Sequence, residues 1–356
     1  MNVLSLFDGM SCGQQALDRA EIKVDKYYAS EIDKFAIKVT MANYPNTIQL
    51  GSVVNVNAYD LPKIDLLIGG SPCQSFSFAG KRKGMATKDE IEIHTLEHYL
   101  QLKNDGYEFE GQSYLFWEYI RILNEVKPKY FLLENVMMGI KWERILSRAI
   151  GVNPIEINSS LVSGQNRRRL YWTNIGMKAA GLFGDLESII EQPKDKSILL
   201  KDVLESEVDE KYFLSENNIN YLKNREKANI EAKRGFGAIY PRLNDKASCI
   251  DARYGALRNC GESYIIHNTM PRSSTTGKGG TGHLSQNDGK TYCLDTGNSN
   301  AVEIKQKIRR LTPIECERLQ TVKDNYTNHV SDSQRYKMLG NGWTVDVIAH
   351  IFKYLL

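Results

Sequence analysis

The N-terminal half of this sequence alternates short apolar runs with amphipathic stretches, and this rhythm restricts the chain to few folds. The apolar runs have the length and composition of buried strands and lie at residues 3–7, 24–29, 66–68 and 130–133. The amphipathic stretches have helical spacing and lie at residues 14–20, 34–42 and 114–126. Strands that alternate with helices indicate an α/β fold with a mostly parallel, doubly wound sheet.

Polar or reactive residues follow each predicted strand directly. They are Asp8-Gly9, Glu31, Pro72-Cys73 and Glu134-Asn135. The carboxyl ends of parallel strands share one edge of the sheet, and ligands of open α/β sheets bind at that edge. The sequence therefore predicts a single site that these side chains line together.

Composition narrows the class of protein. Of 356 residues, 42 % are apolar and 25 % are charged, which is ordinary for a soluble globular protein. We expect no signal peptide, because the first residues lack a basic region, and no membrane span, because no apolar run is long enough. The six cysteines, at 12, 73, 249, 260, 293 and 316, show no CxxC spacing. We therefore expect free thiols, a cytoplasmic protein and no metal site.

The rhythm is lost between residues 180 and 305, where the sequence becomes polar. Between His267 and Arg310 there are seven Lys or Arg residues against three acids, in a stretch rich in Gly, Ser, Thr and Asn. This composition suits contacts to DNA phosphates, and a solvated surface insertion explains it equally well. The net charge of +3 permits an acidic partner without requiring one. Helical spacing then returns, ending in a helix predicted at residues 345–355.

Cys73 has two interpretations of equal weight when it is considered alone. A lone cysteine is commonly a small buried apolar residue. This one follows a buried strand and a Gly-Gly turn, and Lys81, Arg82 and Lys83 come shortly after it. Cationic neighbours lower the pKa of a thiol and favour the nucleophilic thiolate.

The turn Phe7-Asp8-Gly9 and the acid Glu31 resemble parts of a nucleotide-type site. The turn lacks the GxGxxG pattern, so it suits the adenosine part of a cofactor better than a dinucleotide phosphate. Glu31 ends the second strand, where an acid can accept ribose hydroxyl protons. The structural alternative for Glu31 is a favourable position next to a helix N-terminus.

Glu134, Arg167 and Arg169 are further candidates. A carboxylate directly after an apolar strand is costly unless it is paired or functional. Alternate arginines at 167 and 169 could contact a phosphate and a base edge, or they could form a solvated basic edge strand.

Taken together and in this order, these segments resemble the motif series of the DNA cytosine-5 methyltransferases, most closely phage and bacterial members similar to the mammalian de novo enzymes. Seven motifs carry the resemblance: Phe7-Asp8-Gly9, Glu31, Pro72-Cys73-Gln74, Glu134-Asn135-Val136, Gln165-x-Arg167-x-Arg169, Arg310-Leu311-Thr312-x-x-Glu315 and Gly340-Asn341-x-x-x-Val345. They cover residues 1–178 and 305–356. Each motif is weak alone, and the shared order of seven is specific.

The resemblance implies a fold and a domain division. The fold is a Rossmann-like S-adenosylmethionine-dependent methyltransferase sheet with a smaller, mostly irregular or β target-recognition domain. Residues 1–178 and 306–356 would form the catalytic domain, and residues 179–305 the target-recognition domain. The implied partner is double-stranded DNA, with a cognate restriction endonuclease as a further candidate partner, and we expect a monomer.

The resemblance also implies the roles of residues. Cys73 would attack C6 of a flipped-out cytosine, Glu134 would stabilise the charge on the ring, Arg169 would contact cytosine O2, and Arg167 would support the site or a phosphate. A loop at residues 76–92 would close over the base. The implied cofactor-binding residues are Phe7, Asp8, Gly9, Met10, Glu31, Ile32, Ser52, Val53, Pro72, Leu115, Asn341, Thr344 and Val345. The candidate DNA contacts are Gln74, Lys81, Arg82, Gln165, Arg272, Lys278 and Asn298.

Departures from the family pattern do not touch Cys73 or Glu134. Ser52 stands where the family usually has an aspartate for the cofactor adenine, so we expect weaker cofactor binding. Three alternatives remain open: a tRNA cytosine-5 methyltransferase, a catalytically inactive DNA-binding regulator of the same fold, and a nicotinamide oxidoreductase. The tRNA branch has a smaller recognition region than the roughly 125 residues present here, and an oxidoreductase leaves Cys73 and Glu134 unexplained.

Overall fold

The structure is a computed structural model that describes residues 1–72, 85–180, 185–231, 244–252, 254, 264–267 and 307–355. Its strands in these ranges are β1 (Asn2–Leu6), β2 (Lys26–Ser30), β3 (Ile48–Gln49), β4 (Leu66–Gly69), β5 (Tyr130–Val136), β6 (Ile155–Asn158), β7 (Arg168–Thr173), β8 (Met177–Ala180), β9 (Asp185–Ser188), β10 (Tyr264–His267) and β11 (Lys307–Arg310). Its helices are α1 (Cys12–Arg19), α2 (Lys34–Asn43), α3 (Leu96–Asn104), α4 (Phe116–Val126), α5 (Ile140–Ile150), α6 (Glu216–Glu231), α7 (Pro313–Leu319), α8 (Asp332–Asn341) and α9 (Val345–Phe352).

Seven strands form the central sheet, in the order β3-β2-β1-β4-β5-β7-β6. Strands β1 to β5 pair in parallel, whereas β7 runs antiparallel to both β5 and β6. The mostly parallel α/β sheet predicted from the sequence is thus confirmed. Because β7 runs in the opposite direction, its first residues lie at the same edge of the sheet as the carboxyl ends of the parallel strands.

Apolar side chains of the inner strands point to both faces of the sheet and form two cores. Along β1, Val3 packs on the face covered by α1 and α9, and Leu4 packs on the face covered by α4 and α5. This strand is buried on both faces because helices cover both, which explains its continuous apolar sequence. Each fully buried Leu or Phe contributes about 1.5–3 kcal/mol through removal from water.

Some element boundaries differ from the sequence-based expectation. The helix expected at residues 114–126 begins with a 3₁₀ turn, Ser113–Leu115, and the final helix ends at Phe352. Strand β5 continues beyond residue 133 to Val136, because Val136 still pairs with Arg169 of β7. Glu134 therefore lies within a strand instead of following one.

The described residues of the expected recognition region include strands, in line with the irregular or β structure that the resemblance implies. Strands β9 and β10 lie within it and pair antiparallel with β8 and β11 at its borders, whereas the 16-residue helix α6 was not predicted. Several apolar side chains of this region join the core that α1 and α9 cover, namely Ile190, Leu200, Val203, Ala247 and Ile250. Part of the region therefore packs directly on the central sheet.

None of the helices in the described ranges combines the length and apolar character needed to cross a membrane. No group of three or more His, Cys, Asp or Glu side chains in those ranges could hold a metal ion.

Candidate active site

A cavity of about 660 Å³ opens at the carboxyl edge of the sheet. Its walls come from the turns after four parallel strands, the end of β5, the start of β7 and the turn between α8 and α9. The corresponding residues are 7–9, 30–33, 51–53, 70–72, 134–136, 167, 169 and 340–343. The sequence-based expectation that the strand ends line one site agrees with this arrangement.

The turn after β1 is held in an unusual backbone conformation. Phe7, Gly9 and Ser11 have φ angles of 58°, 59° and 63°, in the left-handed region that residues other than glycine rarely adopt. The carboxylate of Asp8 accepts hydrogen bonds from the Tyr27 hydroxyl at 2.8 Å and the Ser11 hydroxyl at 2.7 Å. Burial nevertheless raises the pKa of Asp8 to about 6. These bonds fix a tight turn whose backbone forms one wall of the cavity.

Glu31 is fixed by three backbone donors. Its Oε2 accepts from the N–H of Gly9 at 2.7 Å, and its Oε1 accepts from Ile32 at 2.7 Å and Asp33 at 2.8 Å. A carboxylate has about four lone-pair sites, so acceptor capacity toward the cavity remains. The neighbouring Ile32 side chain is 70 % exposed and lines the same cavity. A rigid acceptor beside an apolar surface fits the ribose and adenine of S-adenosylmethionine.

Ser52 lies on the wall next to Glu31. The loop that carries it is held by a hydrogen bond from the Ser30 hydroxyl to the carbonyl of Gly51 at 2.8 Å. Ser52 precedes the 3₁₀ turn Val53–Asn55, and its hydroxyl makes no capping bond to that turn. Other cofactor candidates that line the cavity are Val53, Pro72, Leu115 and Asn341.

Glu134 and Arg169 form an ion pair inside the cavity. The distance from Arg169 Nε to Glu134 Oε1 is 3.1 Å, and the two side chains are 15 % and 11 % exposed. The pair arises because β5 and β7 are neighbours, with Val136 opposite Arg169. Next to Glu134, Asn135 Nδ2 donates to the Ser71 carbonyl at 3.2 Å and to its hydroxyl at 3.1 Å. These bonds tie β5 to the segment that leads into residue 73.

Arg167 supports the cavity from behind. It is 3 % exposed and donates to the carbonyl of Ile250 at 3.0 Å, of Gly340 at 3.2 Å and of Gly342 at 2.8 Å. Of the two roles expected for it, these contacts favour support of the site, because its donors face protein carbonyls instead of a phosphate.

Four of the expected site residues are buried away from the cavity. Gln165, a candidate DNA contact, is fully buried and donates to the Leu319 carbonyl at 2.6 Å, so the structure does not bring it to a DNA surface. Met10 and Val345 pack in the core. Thr344 is 2 % exposed and donates to Gln320 Oε1 at 2.9 Å. Because Met10, Thr344 and Val345 are buried, their side chains have no access to a cofactor in the cavity.

Seven expected site residues lie outside the described ranges. They are the proposed nucleophile and six candidate DNA contacts: Cys73, Gln74, Lys81, Arg82, Arg272, Lys278 and Asn298.

The cavity also contains residues that sequence reasoning missed. Lys337 of α8 and Asp33 form an ion pair of 2.6 Å between Nζ and Oδ2, and both line the cavity. Trp343 packs so closely on the turn after β4 that a Cβ on Gly70 would lie 2.9 Å from its Nε1. The sequence signal for Trp343 as a site residue was its position directly after the Gly-Asn-Gly turn. Lys337 is a single lysine on a helix, and its sequence surroundings gave no signal for a site residue.

Comparison with known proteins adds the family. A family model described as C-5 cytosine-specific DNA methylase matches residues 1–144 and 160–356. The chain belongs to this family. Similar proteins include the orphan methyltransferase M.SPRI of Bacillus phage SPR, 26 % identical over 450 residues that cover all of this methylase and 97 % of the relative. The type II methyltransferase M.NlaX of Neisseria lactamica is 28 % identical, with 98 % and 94 % of the two chains covered.

Solved structures agree on the fold. The Dnmt2 methyltransferase of S. pombe matches all of this methylase and 98 % of its own chain, with a TM-score of 0.63 and 18 % identity. The Entamoeba histolytica methyltransferase EhMeth matches with a TM-score of 0.65 and 16 % identity, covering all of this chain and 97 % of its own. At this identity the likeness shows the fold alone, which is the Rossmann-like methyltransferase sheet.

Proposed function

We propose that this methylase transfers a methyl group from S-adenosylmethionine to C5 of a flipped-out cytosine in duplex DNA, with Cys73 as the nucleophile. The observation that carries the proposal is the Glu134–Arg169 ion pair in one cavity with the rigid carboxylate of Glu31. Pro72, the residue before Cys73, lines that cavity too. Transfer between two bound molecules requires that both sit in one cavity in fixed orientation.

The proposed chemistry starts from a weak nucleophile, because C5 of an aromatic cytosine does not attack a methyl donor by itself. The Cys73 thiolate forms a bond to C6 and drives electron density to C5. Glu134 shares a proton with N3 and stabilises the charge that develops on the ring, while Arg169 donates to O2. When bound in the cavity beside Glu31, S-adenosylmethionine would supply the methyl group from its sulfonium, with S-adenosylhomocysteine as the product. A water molecule then removes the C5 proton, and Cys73 leaves from C6.

Base flipping follows from the depth of the site. Glu134 is only 8 % exposed, so a cytosine stacked in a duplex cannot reach it. The base must rotate out of the helix, at a cost of a few kcal/mol for unstacking. Contacts between Arg169 and the base would offset part of that cost.

Two variants test the mechanism. Cys73→Ser removes the thiolate, and Glu134→Gln removes the shared proton; each is expected to lower kcat for methyl transfer to duplex DNA about 10²-fold or more. Glu156→Gln is the matched control, because Glu156 is on a nearby strand and pairs with the exposed Arg168. Full activity of Cys73→Ser would refute the nucleophile, and full activity of Glu134→Gln would refute the role in base binding.

The substrate is tested by offering duplex DNA and tRNA in parallel, and we expect transfer to DNA. Activity on tRNA alone would overturn the proposal. Bisulfite sequencing of DNA from cells that express the chain would then give the sequence around the modified cytosine.

We further propose residues 1–178 and 306–356 as the catalytic domain and residues 179–305 as the target-recognition domain of a cytoplasmic monomer. Relatives named type II methyltransferases support a restriction endonuclease as a cognate partner, and relatives named orphan methyltransferases support solitary action. Size-exclusion chromatography tests the monomer, and protection of modified DNA from endonucleases tests the pairing.

A further inference from the structure

A short segment of the middle region (residues 179–305), residues 245–252, attaches beside the site to the loop of residues 159–167, which connects β6 and β7. The N–H of Ala247 donates to the Gly164 carbonyl at 2.7 Å, and the N–H of Asn166 donates back to the Ala247 carbonyl at 3.0 Å. Lys246 Nζ donates to the carbonyls of Ser160 at 2.8 Å and Ser163 at 3.1 Å. The attachment is therefore made on both sides of Ala247, which is itself fully buried.

This attachment brings the sulfur of Cys249 to Arg167, in the loop before β7, and to Arg169 of β7. Arg167 Nη1 donates to Cys249 Sγ at 3.2 Å, and Arg169 Nη2 donates to the same sulfur at 3.8 Å. The Arg169 guanidinium is thus held at three of its nitrogens, by Glu134 through Nε, by the Arg168 carbonyl through Nη1 at 2.8 Å and by Cys249 through Nη2. Two cations converge on one sulfur that the sequence had not singled out.

We propose that Cys249 is a positioning residue for methyl transfer, whose sulfur holds the Arg169 guanidinium against Glu134. The proposal rests on the proposed function, in which Glu134 and Arg169 bind the target cytosine. Arginine has five N–H donors in a rigid plane, so contacts at several edges fix the orientation of the whole group. Without the contact at Nη2, the edge that faces Cys249 is no longer anchored, and the plane can tilt away from Glu134.

The electrostatic surroundings of Cys249 agree with this role. Burial acts to raise the pKa of the Cys249 thiol, but the charges and hydrogen bonds of Arg167 and Arg169 outweigh it and lower the pKa below 9.0. The other two free cysteines in the described ranges show the opposite shift: burial raises the pKa of Cys12 to about 12 and that of Cys316 well above 9.0. A sulfur with greater negative charge accepts stronger bonds from a guanidinium.

The test compares Cys249→Ala, which removes the acceptor, with Cys249→Ser, which keeps one. Cys316→Ala is the matched control, because Cys316 is buried in α7 away from the cavity. We expect Cys249→Ala to lower kcat on duplex DNA about tenfold, in line with loss of one hydrogen bond to a charged group. KM for S-adenosylmethionine should stay unchanged, and Cys249→Ser should recover at least half of the activity.

A double variant tests whether Cys249 acts through Arg169. In an Arg169→Lys background the further change Cys249→Ala should lower the residual kcat less than twofold, since the group to be positioned is already gone. A full tenfold further loss would overturn the route through Arg169. Equal kcat of wild type and Cys249→Ala would overturn the proposal itself, as would a loss that Cys249→Ser does not recover.

The same assay separates this proposal from the proposed function. If Glu134→Gln is inactive while Cys249→Ala has full activity, only the positioning role is refuted. If Glu134→Gln has full activity, the proposed function falls first. Thermal unfolding of Cys249→Ala and Cys316→Ala shows whether a lower kcat reflects a smaller fraction of folded protein. If the kcat of Cys249→Ala equals that of the wild type after correction for the folded fraction, the positioning role is refuted.

Discussion

The ion pair between Arg309 and Glu315 offers the clearest test of how the C-terminal part holds together. Both side chains are fully buried, and two parallel bonds join them: Arg309 Nη1 to Glu315 Oε2 at 2.7 Å and Nη2 to Oε1 at 2.8 Å. The Glu315 carboxylate also accepts from the N–H of Thr312 at 2.8 Å and of Glu205 at 2.9 Å. Glu315 therefore connects β11, the start of α7 and a loop of the middle region.

Glu315→Gln keeps the size of the side chain and removes its charge, so Arg309 would remain buried with an uncompensated charge. Breaking a buried pair in this way costs about 3–5 kcal/mol of the free energy of unfolding. An unfolding entropy of about 2.1 cal/mol/K per residue gives roughly 0.75 kcal/mol/K for a chain of this length, so Tm should fall by about 4–7 °C.

The assay is urea unfolding together with thermal unfolding, and Glu156→Gln is the control. Glu156 also pairs with an arginine, but the two side chains are 40 % and 58 % exposed, so its loss should cost about 0–1 kcal/mol. Burial is then the main difference between the two experiments. Losses that differ by less than about 1 kcal/mol would refute the reasoning from burial.

Three further outcomes are expected. Gly340→Ala would place a Cβ 2.0 Å from the carbonyl carbon of Asp251. The energetic cost of this overlap exceeds the roughly 1 kcal/mol that alanine gains over glycine in a helix, so urea titration should show a net loss of about 2 kcal/mol in the free energy of unfolding. Gly139→Ala, with open space around it, should change that free energy little. Glu31→Gln should weaken S-adenosylmethionine binding about tenfold in calorimetry, and unchanged affinity would contradict its role. The pKa of Asp8 in the native state, about 6, exceeds the ordinary 3.8, so the native state binds the proton more tightly and loses stability as pH rises from about 4 to 6. When the free energy of unfolding is measured at each pH, Asp8→Asn should not show this loss.

Much of the catalytic sheet could be predicted from the sequence, because its inner strands are buried on both faces and stand out as apolar runs. The predicted strand at residues 66–68 and the observed β4, Leu66–Gly69, differ by one residue. Strand β3 has only two residues, and β6 contains Glu156 and Asn158 among its four, so neither forms an apolar run. The direction of β7 was not visible either, since antiparallel pairing with β5 depends on contacts far apart in the chain.

Site residues could be predicted where they lie at or after the end of a strand. They could not be predicted where they lie on the surface of a helix, as Lys337 of α8 does. Glu31 was found because it follows β2, and Glu134 because it lies near the end of β5; strand ends converge on one edge of the sheet. Met10 and Thr344 were expected at the cofactor by their place in motifs, yet their side chains point into the core. A motif indicates which segment of the backbone lies near the cavity. The burial of each side chain then determines whether that side chain can contact a ligand there.

Cys249 was missed for a different reason. Its sequence neighbours show no strand, helix or charge pattern, and its partners Arg167 and Arg169 lie 82 and 80 positions away in the sequence. Only the attachment of residues 245–252 to the β6–β7 loop brings the three side chains together.

Under the proposed division into domains, that attachment also determines how target specificity could be exchanged between relatives. A chimaera that replaces all of residues 179–305 would remove the bonds of Lys246 and Ala247 to the β6–β7 loop together with any DNA contacts in the exchanged region. A chimaera that retains residues 244–254 would keep the contacts that Cys249 makes with Arg167 and Arg169. The recipient's chemistry would then be preserved while the surrounding sequence brings a new target, so the useful boundary for grafting lies inside the middle region and not at its ends.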